Sequence, residues 1–92
     1  AQPLISIIVP VWNEEEFLPE LLRRVRAAPL PGEREILVVD DGSTDGSAEI
    51  AEAEAAAHPG LIRVFRHGKN RGKGAAVRTA LGKARGEFTV IQ

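Results

Sequence analysis

Two adjacent carboxylates, Asp40 and Asp41, directly follow a run of four aliphatic residues at positions 36–39. Neighbouring carboxylates repel each other, so a stable arrangement supplies them with a proton, a cation or a hydrogen-bond donor from a ligand. In their ionised form they accept hydrogen bonds, which suits a base N–H or a ribose hydroxyl. In the simpler interpretation, Asp41 and Asp45 form a turn and a helix cap while Asp40 is solvated. We favour ligand binding for Asp40 and Asp41, and the cap for Asp45.

A second polar group follows the first aliphatic segment, residues 4–11. Trp12 is the only tryptophan of the chain, and its flat apolar face can cover a base or a ribose. Glu14 lies two residues further along. The alternatives are ordinary packing of Trp12 beneath a loop and a solvated first-turn position for Glu14.

A glycine-rich basic loop occupies residues 66–73 and leads into a helix-forming segment. Because glycines free the backbone and a helix N-terminus attracts anions, this loop is a candidate phosphate cradle. Its spacing matches neither the Walker A loop nor the dinucleotide fingerprint, and a solvated basic surface is the alternative. His58 and His67 show no partner in the sequence, and we predict that both lie at the surface.

The hydrophobic pattern predicts the elements that must bring these groups together. Aliphatic segments predict strands at residues 4–11, 35–40, 61–65 and 87–92, the third of them alternating in the manner of an edge strand. Helices are predicted to begin at Pro19 and to cover residues 47–57 and 74–84. This alternation predicts an α/β fold, a Rossmann-like parallel sheet of about four strands with helices on both faces. Ligands bind at the carboxyl ends of such strands, where all three polar groups are expected to meet.

Composition narrows the class of protein. With 92 residues the chain is one small domain or a piece of a larger one. A net charge of −1 predicts no nucleic-acid partner, and the absence of cysteine excludes disulfides and thiolate metal sites. No apolar run approaches the roughly 20 residues that span a bilayer. We therefore expect a soluble chain that contacts a membrane only through segments outside it.

Three segments occur in series: VPVWNEEE, VVDDGSTDGS and NRGKGAAVRTAL. Together they resemble family 2 glycosyltransferases, most of all the polyprenyl-phosphate mannosyl- and glucosyltransferases. The resemblance implies a partial GT-A fold in which residues 1–92 are the nucleotide-sugar-binding half, ending before an Asp-x-Asp motif. It also implies that the donor binds at the carboxyl edge of the sheet.

The same resemblance assigns seven residues to the donor nucleotide: Pro10, Trp12, Glu14, Asp40, Asp41, Arg71 and Lys73. The first three would lie along the nucleoside, although Trp12 departs from the tyrosine or phenylalanine commoner in the family. Asp40 would hydrogen-bond the base, and Asp41 would lie beside the ribose or support the site. Lys73, with Arg71, would approach the phosphates.

The family resemblance further implies inverting transfer of a hexose from a UDP- or GDP-sugar to a lipid-phosphate or saccharide acceptor. The branch that the sequence resembles most implies polyprenyl phosphate. Family members use Mg²⁺ or Mn²⁺ held by the Asp-x-Asp motif after the fourth strand. Metal ligands and catalytic residues are accordingly expected beyond Gln92, so the chain alone should be inactive. We expect a cytoplasmic protein that acts at the cytoplasmic face of a membrane.

A different class of protein remains open at this point: a non-catalytic α/β module that binds a nucleotide or a protein partner. A phosphoacceptor receiver domain is disfavoured. In receiver domains the acid pair follows the first strand, whereas here it follows the second.

Overall fold

The computed structural model describes residues 4–92. Seven elements alternate along the chain: β1 (Leu4–Val11), α1 (Leu18–Ala27), β2 (Glu33–Asp40), α2 (Ser47–Ala57), β3 (Ile62–Arg66), α3 (Lys73–Leu81) and β4 (Phe88–Ile91). The four strands form one parallel sheet in the order β3-β2-β1-β4. This architecture confirms the predicted Rossmann-like α/β class and places β3 at an edge of the sheet, as its alternating pattern indicated.

Both faces of the two central strands, β1 and β2, are covered, which explains why these strands are aliphatic at consecutive positions. Successive strand residues point to opposite faces. Ile36 and Val38 of β2 pack on the side of α1 and α2, whereas Leu37 and Val39 pack on the side of α3. All four are fully buried.

The three helices meet the sheet in different ways. α1 contributes large side chains, Leu18 and Leu22, to the first core. α3 contributes only small ones, Ala76 and Ala80, to the second core, so its backbone lies close to the strands. No helix within residues 4–92 has the length and apolarity that crossing a membrane requires.

Several boundaries differ from the prediction in an instructive way. β2 begins at Glu33 instead of residue 35, because its parallel register pairs Glu33 with Leu4 at the start of β1. α3 begins at Lys73 and ends at Leu81, short of the predicted residue 84. Its last turn tightens where the Lys83 N–H bonds to the Ala80 carbonyl oxygen at 2.9 Å. α1 begins at Leu18, one residue before the predicted start at Pro19, and Pro19 lies in its first turn, where its missing N–H costs no helical hydrogen bond.

A buried carboxylate, Glu35, anchors the connection between α3 and β4. It accepts hydrogen bonds from Ser6 Oγ at 2.6 Å, from the Arg85 N–H at 2.6 Å and from Arg63 Nη2 at 2.9 Å. Burial alone would raise the pKa of Glu35, but these donors outweigh it and hold the pKa below its usual value. Gly86, the residue after Arg85, donates its N–H to Ser6 Oγ at 2.9 Å. The end of the sheet opposite the carboxyl edge is thereby fixed.

Substitution Gly86→Ala should destabilise the fold. A Cβ at this position would lie 2.5 Å from Ser6 Oγ and 2.7 Å from Ser6 N, closer than real Cβ contacts allow. We expect a loss of about 1–3 kcal/mol in the free energy of unfolding, measured by urea denaturation. Gly68→Ala is the control, since no atom lies within 4 Å of its added Cβ. Equal effects of the two substitutions would contradict this packing.

Candidate nucleotide site

The loops that follow β1 and β2 are interlocked at the carboxyl edge of the sheet. The Asn13 N–H donates to Ser43 Oγ at 2.9 Å, and Asn13 Oδ1 accepts the Thr44 N–H at 2.8 Å. The Glu14 N–H donates to Ser47 Oγ at 2.8 Å. Asn13 has a φ of 50°, a left-handed conformation that asparagine tolerates better than most residues. The first two polar segments of the sequence therefore form one structural unit.

A cavity of about 380 Å³ opens at this edge, between the loop after β1 and the N-terminus of α3. Its volume falls within the range of small-molecule sites, roughly 300–1,000 Å³. Five of the seven residues assigned to the nucleotide contribute to its wall: Pro10, Trp12, Glu14, Asp41 and Lys73. The remaining wall comes from residues that sequence reasoning did not single out: Val11, Leu21, Asn70, Gly72, Ala76 and Gln92. Trp12 is 51% exposed, so its ring is available to a ligand.

Asp41 is the best-connected side chain of the cavity wall, although it is only 3% exposed. Its Oδ1 accepts hydrogen bonds from His67 Nδ1 at 2.7 Å and from the Arg71 N–H at 2.9 Å. Its Oδ2 accepts the Gly72 N–H at 2.8 Å. Burial by itself would raise the pKa of this carboxyl, but the three donors hold the pKa below its ordinary value. Asp41 is therefore a buried carboxylate that stays ionised.

The structure leaves two of the seven assigned residues outside the cavity wall, Asp40 and Arg71. Asp40 is 2% exposed, and its Oδ2 accepts the Ser43 N–H at 3.1 Å. Its Oδ1 has no hydrogen-bond partner among the described residues. Arg71 contacts Asp41 through its backbone N–H, and the residue as a whole is exposed. Adjacent strand residues point to opposite sides, which explains why only one of the two aspartates borders the cavity.

The prediction for His67 was wrong. Its side chain is only 6% exposed, because it lies between Asp41 and α3. His67 Nε2 lies 2.8 Å from Thr79 Oγ1, while Nδ1 meets Asp41. The signal was the alternation of Arg63, Phe65 and His67 along one face of β3, which continues one residue past the strand. His58 is half-buried at the end of α2, where its Nε2 lies 3.8 Å from Glu54.

Thr79, His67 and Asp41 have the side-chain types of a nucleophilic relay, but their placement does not suit that chemistry. A nucleophile must reach a substrate, and the hydroxyl of Thr79 does not border the cavity. We therefore interpret the three residues as a support for the Asp41 carboxylate.

Asp45 is not the N-cap residue that we predicted, but its carboxylate still binds the first turn of α2. Its Oδ1 accepts the Ser47 N–H at 2.9 Å in the first turn of α2, and its Oδ2 accepts the Glu15 N–H at 3.2 Å. The formal N-cap position is Gly46, so the carboxylate acts from one residue earlier. Hydrogen bonds from the hydroxyl and the N–H of Ser47 lower the pKa of Asp45.

The basic loop between β3 and α3 lies directly above the sheet edge. Its backbone approaches so closely that a Cβ on Gly42 would lie 2.5 Å from the Asn70 nitrogen, and Gly42 has a φ of 77°. Its cations are exposed, and none forms an ion pair with another described residue: Arg66, Lys69, Arg71 and Lys73. Free positive charge beside a helix N-terminus favours an anionic ligand.

Residues 4–92 contain no group of three or more His, Asp or Glu side chains placed to hold a metal ion. The carboxylates of Asp41 and Asp45 are instead engaged in separate hydrogen-bonded roles. A divalent cation therefore does not fit the described residues alone.

A parallel α/β sheet with a carboxylate and free cations around a cavity at its carboxyl edge is typical of a nucleotide-binding domain. The sequence model of glycosyl transferase family 2 matches residues 6–92. The chain belongs to this family, which confirms the resemblance found in its sequence.

Curated relatives include undecaprenyl-phosphate 4-deoxy-4-formamido-L-arabinose transferases. The protein of that name from Pseudomonas fluorescens (strain SBW25) is 42% identical over 88 residues, which cover 94% of this chain and 26% of the relative. The one from Sodalis glossinidius (strain morsitans) is 41% identical over 88 residues, which cover 94% of this chain and 27% of that relative. The chain thus spans about a quarter of the length of these relatives.

Solved structures with the same fold include two that hold a nucleotide sugar. The mannosyltransferase PcManGT from Pyrobaculum calidifontis, in complex with GDP-Man and Mn²⁺, aligns with a TM-score of 0.84 at 34% identity. The match covers 97% of this chain and 26% of PcManGT. S. aureus TarS 1-349 in complex with UDP-GlcNAc aligns with a TM-score of 0.81 at 35% identity, covering 95% and 25%.

The pH dependence of stability should report the Asp41 carboxylate. Because its folded pKa lies below the ordinary value of 3.8, its contribution is fully present above pH 3.8 and is lost as pH falls through the folded pKa. Asp41→Asn should therefore cost about 1–3 kcal/mol of unfolding free energy at pH 7, and the difference from the parent chain should shrink below pH 3.8.

Urea denaturation between pH 2 and pH 7 measures this difference. Glu20→Gln is the control, because the Glu20 carboxylate pairs with Arg23 and Arg24 on the exposed face of α1. Such a surface pair contributes little. A destabilisation by Asp41→Asn that stayed constant down to pH 2 would show that the charge of Asp41 is not what stabilises the fold.

Proposed function

We propose that residues 1–92 are the donor-binding half of an inverting glycosyltransferase that transfers a hexose from a UDP- or GDP-sugar to an acceptor. The observation that carries this proposal is the cavity at the carboxyl edge, where an ionised, buried Asp41 borders the same space as Lys73. A nucleoside diphosphate has matching chemistry, with N–H donors on its base and negative charge on its phosphates.

Asp41 is the residue we propose for contact with the base. Each carboxylate oxygen has two lone pairs, and Oδ1 of Asp41 uses both of its own for His67 and Arg71. Oδ2 uses one for the Gly72 N–H and retains one. That lone pair can accept an N–H of the base. This proposal moves the base contact from Asp40, which we favoured from the sequence, to its neighbour.

The phosphates are proposed to lie against the N-terminus of α3. Lys73 is the first residue of that helix and borders the cavity, so its ammonium group and the helix dipole favour the same anion. Arg71 is exposed nearby and supplies a second cation. Trp12 and Pro10 offer apolar surface on the opposite wall for the nucleoside.

Several parts of the function are proposed to lie outside this chain. Mg²⁺ or Mn²⁺ would stabilise the charge that develops on the leaving nucleoside diphosphate, as metal ions do in phosphoryl chemistry. The Mn²⁺ in the PcManGT complex supports that choice. A polyprenyl-phosphate acceptor is supported by the names of the curated relatives. Because such an acceptor is a membrane lipid, we propose that the protein to which this chain belongs acts at the cytoplasmic face of a membrane.

Replacement of Lys73 should separate the phosphate contacts from the base contacts. In calorimetric titrations, Lys73→Ala should weaken UDP or GDP binding about tenfold or more, because a hydrogen bond to a charged group is lost. Binding of the corresponding nucleoside should change little. Lys83→Ala is the matched control, since Lys83 is also exposed and does not border the cavity. The proposed function fails if neither nucleotide binds, or if both substitutions weaken binding equally.

A further inference from the structure

His67 is a buried titratable group that the proposed function does not use. Its side chain does not border the cavity, yet both of its ring nitrogens have a partner within 2.8 Å. Its backbone is fixed as well, because its N–H donates to the Asp40 carbonyl oxygen at 2.9 Å. A histidine at the surface after an edge strand would not need all of these hydrogen bonds.

We propose that His67, backed by Thr79, is a positioning residue that aims one lone pair of the Asp41 carboxylate at the base of the donor nucleotide. This inference rests on the proposed function, in which Asp41 accepts an N–H from that base. His67 itself touches no ligand. It acts by fixing which oxygen of Asp41 is occupied and which remains available.

Three of the four lone pairs on the Asp41 carboxylate are already used. His67 and the Arg71 N–H together saturate Oδ1, so the carboxylate has a single preferred orientation. The free lone pair then belongs to Oδ2, beside Gly72 in the wall of the cavity. Without His67, Oδ1 would also have a free lone pair, and a ligand donor would have two competing acceptors.

The imidazole ring of His67 can hold both of its contacts at once. A carboxylate only accepts hydrogen bonds, so Nδ1 of His67 must carry the proton directed at Asp41. Nε2 faces the hydroxyl of Thr79, which can donate to a neutral ring or accept from a charged one. Both ring contacts are therefore kept in either state, and the orientation of Asp41 does not depend on the charge of His67.

His67 also connects Asp41 to α3. Thr79 belongs to α3, the helix whose first residue, Lys73, borders the cavity. His67 thus connects the end of β2 to the helix that is proposed to bind the phosphates. Base recognition and phosphate binding then share one rigid support, as a site built on regular elements requires.

The test uses nucleotides that differ by one N–H. UDP is compared with 3-methyl-UDP, and GDP with 1-methyl-GDP, because methylation removes the base donor and leaves the diphosphate unchanged. Calorimetry gives the ratio of dissociation constants for each pair with the 92-residue chain. We expect a ratio of about ten or more for the parent chain, since a hydrogen bond to a charged acceptor is lost.

Substitution His67→Leu should lower that ratio at least fivefold, while the affinity for the methylated nucleotide stays within about twofold of the parent value. His67→Asn should retain most of the ratio, because its amide nitrogen replaces Nδ1 as donor to Asp41. Thr79→Val should lower the ratio about two- to threefold. His58→Leu is the control and should leave it unchanged, because His58 lies at the end of α2.

The outcomes separate the two proposals. A parent chain that discriminates against methylated bases, with His67→Leu and Thr79→Val discriminating equally well, overturns the role of His67 alone. A parent chain that binds both members of each pair equally overturns the base contact of Asp41 and, with it, this inference. If His67→Leu does not fold, Thr79→Val and His67→Asn test the role of His67 in its place. A ratio of dissociation constants that falls with His67→Asn but not with Thr79→Val also overturns that role.

Discussion

The hydrogen-bonded carboxylate of Asp41 is the constraint on which the carboxyl edge of this sheet depends. A buried carboxylate is costly unless donors surround it, and here three donors come from the segment between β3 and α3. The Asp41 N–H in turn donates to the Val11 carbonyl oxygen at 2.8 Å, at the end of β1. One residue therefore joins the ends of the two central strands to the loop that carries the basic residues.

The remaining features of the edge are arranged around that connection. Gly42 lets the loop after β2 pass directly beneath Asn70, where any side chain would collide. The hydrogen bond from Asn13 to Ser43 joins the loop after β1 to this same loop, so the wall with Trp12 is fixed relative to the wall with Lys73. The small residues of α3 allow its N-terminus to approach the same edge. The cavity thus results from close backbone approaches, each made possible by a particular residue type.

The fold was predictable from the sequence because its determinants are local. Consecutive aliphatic residues at 36–39 indicated a strand covered on both faces, and the β-α alternation then implied a parallel sheet with one ligand-binding edge. Convergence of the three polar motifs followed from that topology. Membership of glycosyl transferase family 2 followed from the motifs in series.

The parts that escaped prediction depend on tertiary geometry. Asp40 and Asp41 are chemically identical, and only the register of β2 against β1 decides which of them borders the cavity. Burial of His67 required α3 to cover the end of β3. The alternation along β3 indicates only that His67 lies on the same face as Phe65. Gln92 reaches the cavity because its N–H bonds to the Ile8 carbonyl oxygen, a contact 84 residues distant in the chain.

The most direct measurement is a crystal structure of the chain with UDP or GDP. Our account predicts a base N–H within about 3 Å of Asp41 Oδ2, with the donors from His67, Arg71 and Gly72 still in place. A base bound away from Asp41, or hydrogen-bonded to Asp40 instead, would contradict it.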